Sequence, residues 1–264
     1  MPKEIPTTET FEEIATTEQE NGGERILREG VHPIVACIGS KKDFDDQLSE
    51  IKSRARNPDT KNVNYSDFAI NNTKNGFKHA GFETYVISPI DSSNKWSTGF
   101  YDCTGIVAVG IDKETGKEIS FMSHQDPKLF LKKHKDVFIN DMLERLKDLN
   151  NRSEYQTIDI TIFGGNFLFP GTEGIDENDK SLMENYLYSI NLLSKIIKLE
   201  LGFNPDIISG PKTVRNCDTA YFDNDNRRLY LVKPRIDIFS QPFEPDRINK
   251  IGKYWFEGNK KQQS

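Results

Sequence analysis

An α+β fold, with mostly antiparallel sheets stacked as a sandwich and two long helices covering them in α/β/β/α layers, is predicted by three features of the sequence. Short β-rich runs recur at residues 83–88, 103–111, 118–124, 157–163, 206–209, 219–222 and 228–232. Two pairs of these runs are joined by segments of hairpin composition, Asp112-Lys113-Glu114-Thr115-Gly116-Lys117 and Asp223-Asn224-Asp225-Asn226. Two long stretches with helical spacing, residues 127–150 and 178–201, interrupt the strands. Hairpins with helices inserted between them, rather than strict alternation of strand and helix, define an α+β domain.

The elements follow in order. Residues 1–28 are rich in Glu and Thr and close on Gly22-Gly23, a composition that buries too little surface to offset chain entropy and reads as a disordered acidic leader. A single domain is expected over residues 29–234. It opens with a short apolar strand at residues 34–38 and a helical spacing of Phe44, Leu48 and Ile51, followed by a polar stretch through Asn75. After the strand at 83–88 and a polar loop at Asp91-Ser92-Ser93-Asn94, the apolar run from Cys103 to Ile111 predicts a buried strand. Pro127 opens a helix with Phe130, Val137, Phe138, Met142, Leu146 and Leu149 on one face. The β-rich run at 157–163 stops at Gly164-Gly165, and the second helix ends at Gly202 in a C-cap position. Residues 235–264 are expected to wrap the surface, anchored by Trp255 and Phe256.

Composition narrows the class. A net charge of −6 disfavours phosphate backbones and anionic membranes as main partners, so neither nucleic acid nor membrane is expected. Cys37, Cys103 and Cys217 are odd in number and widely spaced, which fits neither a disulfide framework nor a zinc site and implies a reducing compartment. The N-terminal residues have neither the apolar core of a signal peptide nor the Arg-rich character of a transit peptide, and no apolar run approaches the roughly 20 residues that span a bilayer. A cytoplasmic protein, or one delivered into another cell by a non-classical route, is the expectation, with no cofactor and no metal.

The segment WSTGFYDCTGIVAVGIDKETGKEISFMSH, residues 96–124, carries the chemistry. A four-residue loop at Lys113 to Gly116 pairs Gly105 with His124 and sets Cys103 diagonal to His124 on the same face, within reach of thiol and imidazole. A three-residue loop would flip that register. Gly105 is expected to leave room for the imidazole ring. Cys103, at the start of a buried strand, has backbone N–H groups nearby for an oxyanion, and the hydroxyl of Ser97 or Thr98 is placed to orient the ring. A small core cysteine and a half-exposed histidine at a strand end are the plain structural alternatives.

The hydroxyl–Gly–x–x–Cys strand, the Asp-x-x-x-Gly turn, the strand ending in His124 and the later Ile162-Phe163-Gly164-Gly165 resemble the chemoreceptor glutamine deamidases of bacterial chemotaxis. They are similar, too, to the wider group that includes the cytotoxic necrotizing factor catalytic domain. The resemblance spans about residues 82–234, in pattern rather than long identity. It implies Cys103 as nucleophile and His124 as base of a protein glutamine deamidase. The oxyanion and pocket positions fall at Thr104, Gly164, Gly165 and Asn166, and the partner is a protein with an exposed glutamine. The family's chemoreceptor branch has Thr six residues before its Cys, where this chain has Ser97, with Thr98 next. Residues 166–179 and the region through Asn75 have no counterpart in that pattern.

Other motifs read more plainly. Asp223 to Asn226 forms half of a calcium loop but lacks its Gly and distant Glu, so a hairpin turn is expected. Lys132, Lys133, His134 and Lys135 read as a solvated helix face, with substrate docking as the alternative. Cys37 near His32 reads as a buried thiol, and Cys217, between Asn216 and Asp218, as a surface one. Three functions follow for testing: a protein glutamine deamidase, a Cys–His hydrolase of a small amide, ester or nucleoside, and a non-catalytic binding protein on the same fold.

Overall fold

The computed structural model describes residues 23, 25–44, 63–64, 77–79, 84–98, 100, 103–167, 177–211 and 219–233. Their elements run β1 (Val35–Ser40), a 3-10 turn (Lys41–Phe44), β2 (Val63–Asn64), β3 (Lys78–His79), β4 (Tyr85–Ile87), β5 (Lys95–Thr98), β6 (Thr104–Ile111) and β7 (Glu118–Gln125). Then come helices α1 (Pro127–Lys133) and α2 (Lys135–Arg152), β8 (Asp159–Phe167), α3 (Glu177–Leu201), β9 (Asp206–Pro211), β10 (Thr219–Asp223) and β11 (Arg228–Lys233). The fold is α+β, with a six-stranded sheet in the order β3-β4-β7-β6-β8-β9 and a five-stranded sheet in the order β1-β11-β10-β5-β2. Pairing is antiparallel except for β8 with β9, β1 with β11 and β2 with β5.

Alternation of side chains along the strands creates two cores. From β6, Ile106 and Ala108 face α1, α2 and α3, where Phe130, Phe138, Met142, Leu146, Leu193 and Ile197 meet them. Val107 and Val109 face the other way, onto Ala220, Phe222, Leu229 and Leu231 of the five-stranded sheet. The outer face of that second sheet carries Tyr221, Tyr230, Val232, Trp96, Cys37 and Phe44, with Trp96 stacked on Tyr221 at 5.7 Å. All three helices lie on the six-stranded sheet, so a second helical layer, as the α/β/β/α expectation requires, is not found among the described residues.

The helix expected over 127–150 is divided. Asp126 caps α1 by accepting from Lys128 and Leu129 N–H (2.8 and 3.0 Å), and Pro127 sits in the first turn, where its missing N–H costs nothing. At His134 the backbone leaves helical values (φ −139°, ψ 25°) and α2 begins anew. The offset rotates Val137, assigned to the apolar face, out to 49% exposure, while Ile139 and Leu143 join the core instead. α3 matches its expected span, and Gly202 N–H closes it on the Lys198 carbonyl at 2.8 Å.

Three further differences concern connections. β8 does not stop at Gly164-Gly165 but continues to Phe167 with a register shift between Phe163 and Asn166, a bulge that these glycines permit. β5, read as the end of a polar loop, is a strand of the five-stranded sheet: Lys95 is fully buried, its ammonium donating to Asp91 Oδ1 (3.1 Å), Asp91 O and Ser93 O. Burial lowers that ammonium to about 8 against the opposing pull of Asp91. Two residues counted within the expected leader contact the domain: Arg25 donates to both Asp159 and Asp206, and Arg28 pairs with Glu154. Residues 1–22, the helical spacing through Leu48 and Ile51, and the tail at 235–264 lie outside the described residues.

Asp159 is buried, which pushes its carboxyl up, while the Ile34 and Ile160 N–H groups and the Arg25 cation pull the other way. Arg25→Ala therefore leaves a buried carboxylate short of its cation. Urea unfolding is expected to show a loss of about 2 to 3 kcal/mol, moderated by the two N–H donors that remain; a change under about half a kcal/mol would place residue 25 outside the folded unit.

Candidate active site

The β6–β7 hairpin sets the geometry. Asp112 N–H donates to the Lys117 carbonyl (2.9 Å) and Gly116 N–H to the Asp112 carbonyl (2.8 Å), closing a four-residue loop, the one of the two lengths considered that sets Cys103 diagonal to His124. The register then runs from Ile111 opposite Glu118 to Thr104 opposite Gln125. Cys103, the residue before β6, is thus diagonal to His124, and diagonal neighbours lie about 7 to 8 Å apart, a gap that thiol and imidazole side chains shorten. Both belong to the face turned toward the five-stranded sheet: Cys103 packs half-buried against that core, and His124 meets residues of β5 and of the segment after it.

His124 is held on two sides. Its Nδ1 is hydrogen-bonded to Ser97 Oγ at 2.8 Å, a contact that crosses from one sheet to the other. Its ring stacks on Phe100 with centroids 4.0 Å apart and planes at 17°. At 1% exposure the imidazole has lost nearly all hydration, and this desolvation pulls it down from 6.5 to about 3. It is therefore neutral throughout the physiological range, and the Ser97 hydroxyl, which can donate or accept, holds the ring by Nδ1.

Gly105 serves a different neighbour from the one expected. A side chain there would come within 2.5 Å of the Phe163 ring and 2.8 Å of the Ser123 carbonyl, so the space is kept for Phe163 rather than for the imidazole. Phe163 in turn leans on Phe100 at 5.1 Å, and Phe100 on His124, so the glycine reaches the histidine through two aromatic rings. Gly164 has φ +82°, and a side chain on it would lie 2.7 Å from the Cys103 carbonyl. Only glycine fits both that backbone and that approach, and the bulge in β8 is what brings it against the cysteine.

The remaining assignments divide. Ser97 bonds the imidazole, and the backbone of Thr98 pairs with Thr219 in the five-stranded sheet. Thr104 pairs with both Gly164 and Gln125, and its hydroxyl accepts from Gln125 Nε2 at 3.1 Å, so any part it takes in holding an oxyanion falls to its backbone. Gly165 lies within the bulge, and Asn166 pairs with Gly210 of β9, two residues beyond the glycine that lies against the Cys103 carbonyl. Cys37 lies in the outer aromatic cluster, where burial pushes its thiol up, the reverse of what a nucleophile needs. Asn226 bonds back to Asp223 (2.8 Å) as a hairpin turn, and Lys135 donates to Tyr188 OH at 2.7 Å. Cys217, Asn216 and Asp218 lie outside the described residues. Phe100 was not legible as a site residue; its position three before Cys103, in a segment rich in small and polar residues, was its only signal.

No described helix is long and apolar enough to cross a membrane. No protein-family model matches the chain, and no curated protein matches it.

The buried imidazole makes stability pH-dependent with a definite sign. Above pH 6.5 it is neutral in both folded and unfolded chains, and its contribution is whole; between 6.5 and about 3 only the unfolded chain takes up the proton. Stability falls as pH falls through that window, by up to about 1 kcal/mol for each pH unit. Urea midpoints measured from pH 7 to pH 4 are expected to drop more steeply for the wild type than for His124→Gln, and parallel curves would contradict the buried neutral ring.

Proposed function

We propose that this chain is a cysteine-dependent amidohydrolase that converts glutamine side chains of a protein substrate to glutamate. The observation that carries the chemistry is the cross-sheet bond between Ser97 Oγ and His124 Nδ1, made beside the strand end that bears Cys103. The choice of glutamine rests on the resemblance of the segment around Cys103 and His124 to glutamine deamidases.

The sequence of events follows from the geometry. With Nδ1–H donating to Ser97 Oγ, the Nε2 lone pair of His124 is the one available as base. The thiol of Cys103 gives its proton to that nitrogen as sulfur attacks the carboxamide carbon, and backbone N–H groups around Cys103 and Thr104 hold the oxyanion. Collapse of the tetrahedral adduct breaks the C–N bond, and the imidazolium passes its proton to departing ammonia. Water, deprotonated by the same nitrogen, then cleaves the thioester to give glutamate and the free thiol. The imidazolium is buried and its Nδ1 partner is a hydroxyl rather than a carboxylate, so it is short-lived and the resting pair is thiol and neutral imidazole. A thiol that must stay reduced suits the cytoplasm of the producing cell or of a cell into which the protein is delivered.

Ammonia release from a glutamine-rich protein, with mass spectrometry locating Gln→Glu sites, tests the reading. Cys103→Ala and His124→Ala are expected to abolish turnover, a loss of at least about 100-fold, and Ser97→Ala to reduce kcat by about tenfold or more through loss of ring orientation. A folded wild type that releases no ammonia, and whose Cys103 resists iodoacetamide, would leave a non-catalytic binding protein.

A further inference from the structure

Pairing between β6 and β7 is continuous from Ile111 opposite Glu118 to Val107 opposite Met122, lapses, and resumes at Thr104 opposite Gln125. Inside the lapse, Ile106 N–H donates to the Ser123 hydroxyl at 3.0 Å, and the Phe163 ring fills the space above Gly105. The lapse takes in His124 and ends one residue short of Cys103. The pairing of Thr104 with Gln125 is thus set apart from the rest of the β6–β7 ladder, and it is the β6–β7 pairing nearest the two reactive groups.

A side-chain bond on the reverse face of the sheet spans the same place. Gln125 Nε2 donates to Thr104 Oγ1 at 3.1 Å, and both residues are fully buried. Each is the chain neighbour of a reactive residue: Thr104 follows Cys103 and Gln125 follows His124. The other end of the amide, Gln125 Oε1, meets no hydrogen-bond partner among the described residues. A buried carbonyl left so costs about 1 to 3 kcal/mol, which an apolar side chain of similar shape would avoid. Among the described residues, the contact this side chain makes is through its NH2 end.

We propose that Thr104 and Gln125 form a positioning clip that sets the spacing of Cys103 and His124 from behind the sheet; this rests on the reading of those two as the reactive pair. Neither side chain touches substrate. The clip acts by reinforcing, with a side-chain bond, the one β6–β7 pairing that lies beyond the lapse, and a misplacement of about 1 Å is enough to cost about 100-fold in rate.

Three variants of the full chain test it: Thr104→Val, which keeps shape but removes the acceptor, Thr104→Ser, which keeps the hydroxyl, and Gln125→Met, which removes the amide with its unpartnered oxygen. Ammonia release, the rate of Cys103 alkylation by iodoacetamide, and Tm are measured on each. The clip predicts kcat lowered about tenfold or more in Thr104→Val and Gln125→Met with KM within about twofold, recovery in Thr104→Ser, and Tm for Gln125→Met at or above wild type. Wild-type kcat in both Thr104→Val and Gln125→Met, or losses that follow Tm and are not recovered by Thr104→Ser, would overturn it. Should Thr104→Val fail to fold, Gln125→Met decides alone. If the wild type releases no ammonia the deamidase reading falls separately, and alkylation decides the clip: slowed in Thr104→Val and recovered in Thr104→Ser supports it, while equal rates overturn it.

Discussion

Parity in one hairpin governs this molecule. Because strand side chains alternate with a period of two, the four residues between Asp112 and Lys117 decide which half of β6 and β7 meets the helices and which meets the second sheet. One residue more or fewer would turn β7 over relative to β6, sending Phe121 away from the core it shares with Ile106 and moving His124 to the helical side. The same count that builds two hydrophobic cores places the cysteine and the histidine on a common face, so fold and chemistry are specified by a single register.

The site is unusual in being ordered mainly by apolar contact and one neutral hydrogen bond. Phe100 covers one face of the imidazole, Phe163 supports Phe100, and Gly105 makes room for Phe163. Removing water in this way keeps the ring uncharged and makes it a weaker base than a solvated imidazole, whereas a carboxylate partner would favour the charged form. Elsewhere the two sheets are joined by a polar cluster at the opposite end of β7: Asn224 receives from Ser120 Oγ, donates to the Glu118 carbonyl, and bonds Asn94 through its backbone. Hydrogen bonds at both ends of the interface limit sliding of one sheet over the other.

What the sequence disclosed was local. The hairpin was legible because its turn residues and flanking apolar runs lie within about twenty positions, and loop length alone then predicted the partner of Thr104. The choice between Ser97 and Thr98 was not, because it depends on β5 pairing with β10 across more than a hundred residues. β5 itself was hidden by composition: Lys95 reads as solvent-facing until Asp91, four positions earlier, turns back to neutralise it inside the fold. The division at His134 escaped notice because the residues around it are polar and compatible with an unbroken helix, and the offset shows only in which side chains reach the core. Gly105 was recognised as a space but assigned to the wrong ring, since Phe163 arrives from β8, on the other side of β6.

The histidine and the hydroxyl bonded to it come from different sheets. Ser97 is placed by the pairing of β5 with β10, so the orientation of the imidazole on β7 depends on the second sheet as much as on its own. On the function proposed above, a base oriented in this way would exist only once both sheets are joined, which ties activity to completion of the fold.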